Sequence, residues 1–116
     1  QEAERIARGP LNRYLKSLVD AAGDWVGGAS SADYPGYDKV IAGLARENFE
    51  TQVAKCAAWV GTPERILDTA ATYAREVGGF ESASLQVNFN DITLANAEAS
   101  MRLSGERVLP RLAASL

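Results

Sequence analysis

The chain has 116 residues and a formal net charge of −3, with acidic and basic side chains interspersed. This length is enough for one ordinary domain with a modest core. Because no basic stripe is present, the sequence has no electrostatic footprint for binding nucleic acid. No apolar run approaches the ~20 residues that a membrane-spanning helix requires, so we expect neither nucleic acid nor a membrane as a partner.

The histidine and cysteine content limits the chemistry open to the chain. There is no histidine, which removes the most common general base and the most common metal ligand. Cys56 is the single cysteine, so we expect no internal disulfide, no metal site and a reducing, cytoplasmic location. It lies in an apolar run without a partner histidine, and we interpret it as a small buried residue rather than a nucleophile.

The first half of the chain is predicted to be helical around one loop. Apolar side chains recur at three- and four-residue spacing in residues 2–22, which indicates an amphipathic helix. Pro10 is expected to break or kink this helix, because proline removes a backbone hydrogen bond. Residues 23–36 are rich in Gly, Ser, Asp and Pro and are predicted to form a loop. A second amphipathic helix is predicted from Tyr37, and it either continues or restarts through Val53 to about Lys55.

The middle of the chain predicts a short apolar segment followed by a well-defined helix. Residues 56–60 are interpreted as an extended segment, with the end of a helix as the alternative. Thr62 is a good N-cap, since its hydroxyl can accept an unpaired backbone N–H, and Pro63 suits the first helical position. We predict a helix that begins there and ends at Gly78 and Gly79, where left-handed backbone is allowed.

Residues 84–89 give the clearest strand pattern in the sequence, because apolar and polar side chains alternate along them. The apolar face holds Leu85, Val87 and Phe89, and the polar face holds Ser84, Gln86 and Asn88. Asp91 or Thr93 is expected to cap a final helix, which Gly105 weakens and Pro110 ends or bends. The succession of extended segment, helix, strand and helix predicts parallel βα units in a predominantly helical α/β fold.

Three motifs follow one another in the second half of the chain. They are Gly-Thr-Pro-Glu at 61–64, Gly-Gly-Phe at 78–80 and Val-Leu-Pro-Arg-Leu at 108–112. In this order, over residues 59–112, they resemble the C-terminal end of bacterial luciferase-like flavin-dependent monooxygenases, and most closely the limonene-monooxygenase branch. The resemblance implies that residues 1–116 are the C-terminal βα units of a (β/α)8 TIM barrel, since a whole barrel has about 250 residues.

The resemblance also implies an oxidoreductase function. The parent enzyme would use reduced FMN and molecular oxygen to oxidise a small organic substrate, with the flavin carrying the chemistry. Most flavin contacts in that family lie on earlier strands, so we expect this segment alone to be inactive and to bind flavin weakly or not at all. Gln86, Asn88 and Asn90 are the candidate cofactor-binding residues, because (β/α)8 enzymes place their sites after the carboxyl ends of strands. The alternative is that these side chains simply face solvent.

Two further groups of residues have a functional and a structural interpretation. Thr62 and Glu64 could bind an anion at a helix N-terminus, but capping is the preferred role. Four aromatic residues could stack on a flavin ring, although packing in a core or interface is preferred for them; they are Trp25, Tyr34, Tyr37 and Trp59.

A second function hypothesis is a non-catalytic helical module that dimerises through its apolar helix faces. Under either hypothesis we expect a homo-oligomer, because a partial barrel exposes strand edges and apolar helix stripes that must be covered.

Overall fold

The computed structural model describes residues 2–26 and 35–115, and within these ranges every regular element is helical. A π-helical segment, Ser104–Val108, joins the last two helices into one continuous rod. The α-helices are α1 (Glu2–Val26), α2 (Tyr37–Leu44), α3 (Phe49–Ala54), α4 (Pro63–Val77), α5 (Leu94–Leu103) and α6 (Leu109–Ser115).

The predicted α/β fold is wrong for the described residues, which contain no strand and no sheet, and therefore no βα unit of a TIM barrel. The segment predicted as a strand, residues 84–89, lies outside any regular element. A strand needs a neighbouring strand for its backbone hydrogen bonds, and the described chain provides none. The alternating side chains are present, but the pairing that would turn the pattern into a sheet is missing.

Residues 56–60 are not an extended segment either, and the alternative of a helix end is the better description. Turns and bends follow α3 directly, since the backbone N–H of Cys56 donates to the Val53 carbonyl at 3.1 Å and that of Ala57 donates to the Gln52 carbonyl at 2.9 Å. Cys56 itself has a φ of 55°, a left-handed conformation that is uncommon for residues other than glycine and that an α-helix does not continue through.

Helix α1 runs through Pro10 without ending there, so the predicted break is wrong. The apolar face of α1 packs against the rest of the protein. The free energy gained by this burial outweighs the local free-energy cost of the proline, since tertiary packing supplies most helical stability in proteins. The predicted loop at 23–36 also begins later than expected, because α1 continues to Val26 and residues 35–36 form a turn. The remainder of that loop, with Tyr34, and the Trp25 side chain lie outside the described residues.

The main core forms where α1 meets the short helix α3. Ala7, Leu11 and Leu15 lie on one face of α1 and pack with Phe49, which is the first residue of α3. Five partly buried residues pack around this cluster: Leu44, Val53, Ala58, Val60 and Phe89. The chain is therefore organised around α1, and the segments before α4 and after residue 80 both contact the same cluster.

Several predicted helix ends are confirmed. The Thr62 hydroxyl accepts the Arg65 N–H, and Gly78 ends α4 with a φ of 80°. The Thr93 hydroxyl accepts the Asn96 N–H at 3.2 Å, so Thr93 rather than Asp91 caps α5. Of the two alternatives for the helical region from Tyr37 to about Lys55, the restart is the better description, because Asn48 begins a separate helix with its own capping box.

The C-terminal rod packs on α4 through its π-helical segment. Ala70 of α4 is 1% exposed, and Val108 of the π-helical segment is 4% exposed. The π segment ends two residues before Pro110, and the Leu109 N–H donates to the Ser104 carbonyl five residues back. The helix therefore continues past Pro110 to Ser115 instead of ending there, since the wider turn accommodates the disturbance that proline causes.

Candidate functional site

The three residues predicted to bind a cofactor are exposed and do not converge on a pocket. Gln86, Asn88 and Asn90 lie in the irregular segment before α5, and the Gln86 amide donates only to the Asn88 carbonyl, at 3.4 Å. Asn90 adopts a left-handed backbone with a φ of 50°, which asparagine tolerates better than most residues. The proposed flavin contacts stay a prediction, and the described residues bring no further polar side chain to them.

The strongest polar contact near this segment joins Asp91 to α1. The Arg13 guanidinium donates to both carboxylate oxygens of Asp91, with Nη2 to Oδ2 at 2.6 Å and Nη2 to Oδ1 at 2.8 Å. This bidentate pair lowers the pKa of Asp91. Both side chains are more than half exposed, so the pair positions the segment on α1 but contributes little net stability.

A shallow, open groove of about 310 Å³ lies beside this ion pair, between the first half of α1 and residues 91–96. Two arginines line it, but neither is left without a counter-charge: Arg5 is paired with Glu2 at 2.6 Å, and Arg13 with Asp91. None of the three predicted flavin-binding residues lines this groove. The groove therefore offers exposed polar groups that already satisfy one another, without an enclosed apolar wall for a ring.

A second groove of about 290 Å³ runs between α1 and residues 44–48, and Glu47 lies in its wall. Three side chains donate hydrogen bonds to the Glu47 carboxylate. It accepts from the Thr51 hydroxyl at 2.5 Å and from the Gln52 amide at 3.0 Å, and it forms a salt bridge with Lys55. Its side chain is only 17% exposed.

These contacts lower the pKa of Glu47 to about 2, with the hydrogen bond from Lys55 as the largest cause. All three donors belong to α3 or its last turn, so the carboxylate holds that short helix together from its N-terminal side. The arrangement is a structural clamp on α3, because both carboxylate oxygens accept from donors of this helix or its last turn.

Replacing Glu47 by glutamine is expected to change how stability depends on pH. Because the pKa of Glu47 is lower in the folded chain than its usual 4.5, its contribution to stability is present above that value and is lost as the pH falls toward about 2. Urea unfolding at a series of pH values should show a smaller acid decline for Glu47→Gln than for the unmodified chain. Glu98→Gln is the matched control, since Glu98 is exposed; equal acid profiles for the two variants would contradict the clamp.

The sequence reasoning missed the residues that hold α3 in place. Asn48 accepts the Thr51 N–H while the Thr51 hydroxyl accepts the Asn48 N–H, both at 2.9 Å. Asn followed by Thr three positions later is a local capping signal that could have been found. Asn12 also contributes, because its Oδ1 accepts the Phe49 N–H at 2.8 Å, and no local pattern marks a contact across that distance in sequence.

Trp59 and Cys56 have the structural roles that were preferred for them. Cys56 is buried, and its carbonyl accepts the Trp59 indole N–H at 2.8 Å. The Trp59 ring packs edge-on against Tyr73, with ring centroids 6.0 Å apart, and Tyr73 in turn packs against Phe80 at 5.7 Å. Tyr37, by contrast, is 42% exposed.

Comparison with models of known protein families, with curated proteins and with solved structures found no match to this chain. Among residues 2–26 and 35–115, no helix combines the length and apolar character needed to cross a bilayer. The same residues contain no group of three or more acidic, cysteine or histidine side chains placed to hold a metal ion.

Proposed function

We propose that this chain acts as a non-catalytic helical module that associates with further copies of itself. The observation that carries the proposal is its exposed surface. The chain exposes 8226 Å², whereas a compact monomer of 12.4 kDa exposes about 6,100 Å². The chain therefore buries less of its own surface than a compact monomer of this mass does, as is expected of a chain that buries further surface on association.

The exposed surface includes a row of large apolar side chains on the C-terminal rod. Leu94, Met101 and Leu109 are 69%, 60% and 58% exposed. Met101 follows Leu94 by seven residues, which is about two turns of α-helix. Leu109 follows Met101 by eight residues, but the π-helical segment between them accommodates one extra residue per turn. The three side chains therefore share one face, which we call the rod face.

A second copy of the chain is a suitable occupant for this surface. The net charge of −3 is small, so copies repel one another only weakly, whereas a chain far from neutrality is kept monomeric by its charge. Single exposed apolar residues are normal on protein surfaces, but an aligned apolar row marks an interaction site.

Sedimentation velocity across a range of concentrations tests the proposal, and we expect dimers or larger assemblies to form. Met101→Gln should weaken association about tenfold or more, because burying a methionine contributes roughly 1.5–3 kcal/mol. Its control is Ser100→Gln, the same new side chain at an exposed neighbouring position on α5. A chain that stays monomeric at every concentration would refute the proposal.

A second proposal keeps the flavin-dependent monooxygenase function for the protein to which this segment would belong. It is supported by the order of the three motifs over residues 59–112. It is also supported by α4, which is capped by Thr62 in the first motif and by Gly78 in the second. On this proposal the segment works in the cytoplasm with reduced FMN, oxygen and a small organic substrate, and it does not bind flavin tightly alone. Fluorescence titration with FMN should show weak or no binding; tight binding at one FMN per chain would contradict that expectation.

A further inference from the structure

We propose that residues 85–89 of one copy pair with the same residues of a second copy as two antiparallel strands centred on Val87. This inference rests on the self-association proposed above and assigns one of its contacts. It concerns the segment between α4 and α5, which has the side-chain pattern of a strand but, in the described structure, no strand beside it.

Most of the backbone of this segment is free to pair, although the Asn88 carbonyl accepts from the Gln86 amide at 3.4 Å and the Phe89 carbonyl accepts from the Ile92 N–H at 3.2 Å. Within the described chain, residues 80–87 form no backbone hydrogen bond, while the segments on either side form their own turns. Residues 81–86 are all exposed, and Leu85 is 54% exposed. A row of unpaired N–H and C=O groups of this length is a template for another strand.

Both ends of the segment are anchored, which holds it in place for pairing. At its start, the Phe80 ring packs on Tyr73 of α4, with centroids 5.7 Å apart. At its end, Phe89 packs on Tyr14 of α1 with ring centroids 6.2 Å apart, and Asp91, two residues further along the chain, is held by Arg13. An anchored segment loses less conformational entropy when it pairs than a free one would.

The sequence of the segment is complementary to itself in one antiparallel register. With Val87 opposite Val87 of the second copy, Leu85 lies opposite Phe89 and Gln86 opposite Asn88. Apolar side chains then meet apolar ones on one face, and amides meet amides on the other, as favourable cross-strand pairs require. A shift of the register by one residue would put Val87 opposite Asn88 and mix the two faces.

Charge does not oppose this pairing. Residues 82–90 contain no charged side chain, no proline and no glycine, which is the composition of segments that readily pair through their edges. Because the same segment comes from both copies, the contact has two-fold symmetry and closes on a dimer instead of growing into a chain.

Disulfide cross-linking tests the register directly. In a Cys56→Ala background, Val87→Cys should form an interchain disulfide, since residues directly opposite have Cα atoms about 4.5–5.5 Å apart and disulfides span about 4.4–6.8 Å. Leu85→Cys is the matched control on the same face. Two copies of it would lie about four residues apart along the strands, roughly 13 Å, so it should cross-link only when mixed with Phe89→Cys.

Val87→Pro gives an independent readout that needs no cross-link. Proline removes a backbone donor from the centre of the pair, so the dimer dissociation constant should rise about tenfold. Ser82→Pro, outside the paired residues, should leave it unchanged, and circular dichroism should show the same helix content in both variants.

The outcomes separate this inference from the function on which it rests. If the unmodified chain is a monomer, self-association itself is refuted. If it is a dimer whose dissociation constant is unchanged by Val87→Pro, or if Val87→Cys and Leu85→Cys cross-link equally, the strand contact is refuted while self-association stands.

Discussion

Replacing Phe49 by alanine is expected to lower the free energy of unfolding by about 3–5 kcal/mol. The Phe49 side chain is 3% exposed and is the only buried aromatic among the described residues. It joins α3 to the buried face of α1, formed by Ala7, Leu11 and Leu15. A domain of this size has a total stability of about 5–15 kcal/mol, so the loss should be visible as a large shift of the urea midpoint.

The controls for Phe49 separate packing from a general loss of aromatic surface. Phe49→Leu keeps an apolar side chain of similar reach and should cost less than about 1.5 kcal/mol. Tyr37→Ala removes a ring that is 42% exposed and should also cost much less than Phe49→Ala. Equal costs for Phe49→Ala and Tyr37→Ala would mean that the α1–α3 cluster is not the main core.

The Arg8 guanidinium adds a second contact to the same ring, because its central carbon lies 4.5 Å from the ring centroid of Phe49. A cation over an aromatic face at a partly exposed site contributes about 0.5–1 kcal/mol. Most of the cost of Phe49→Ala is therefore the loss of buried apolar contacts.

The parts of the fold that could be predicted from the sequence are those decided within a few residues. Thr62 and Thr93 were predicted as possible caps because a cap bonds to a backbone N–H three positions away, and both do so. Gly78 was predicted to end α4 because a left-handed residue at that point favours glycine, and its φ is 80°. Such signals need no knowledge of the rest of the chain.

The parts that were wrong depend on partners far away in sequence. Alternation at residues 84–89 predicts which side chains share a face, but a strand also needs a neighbouring backbone, and the described chain places none there. Gln86, Asn88 and Asn90 do not converge in the described structure for the same reason, since they would meet only at the end of a paired strand, and their role in cofactor binding stays a prediction. The contacts that do organise the chain, Asn12 with Phe49 and Arg13 with Asp91, join residues 37 and 78 positions apart.

Replacing Pro10 by alanine is the second substitution with a large expected effect, and we expect it to stabilise the folded chain. Proline inside a helix is about 3 kcal/mol less favourable than alanine, because it lacks an N–H and its ring clashes with the carbonyl four residues earlier. Pro10→Ala would restore a donor to the Ile6 carbonyl within α1. The Pro10 ring is buried, so lost packing offsets part of the gain, and we expect the free energy of unfolding to rise by about 1–3 kcal/mol.

Pro110→Ala is the control for Pro10→Ala, because the helix before Pro110 contains a wider, π-helical turn. The π-helical turn Ser104–Val108 ends two residues before Pro110, and its wider spacing relieves the clash that an α-helical turn would have. Urea unfolding should therefore show a clearly smaller gain for Pro110→Ala than for Pro10→Ala. A loss of stability in Pro10→Ala would mean that the buried ring stabilises α1 by packing more than it destabilises it locally.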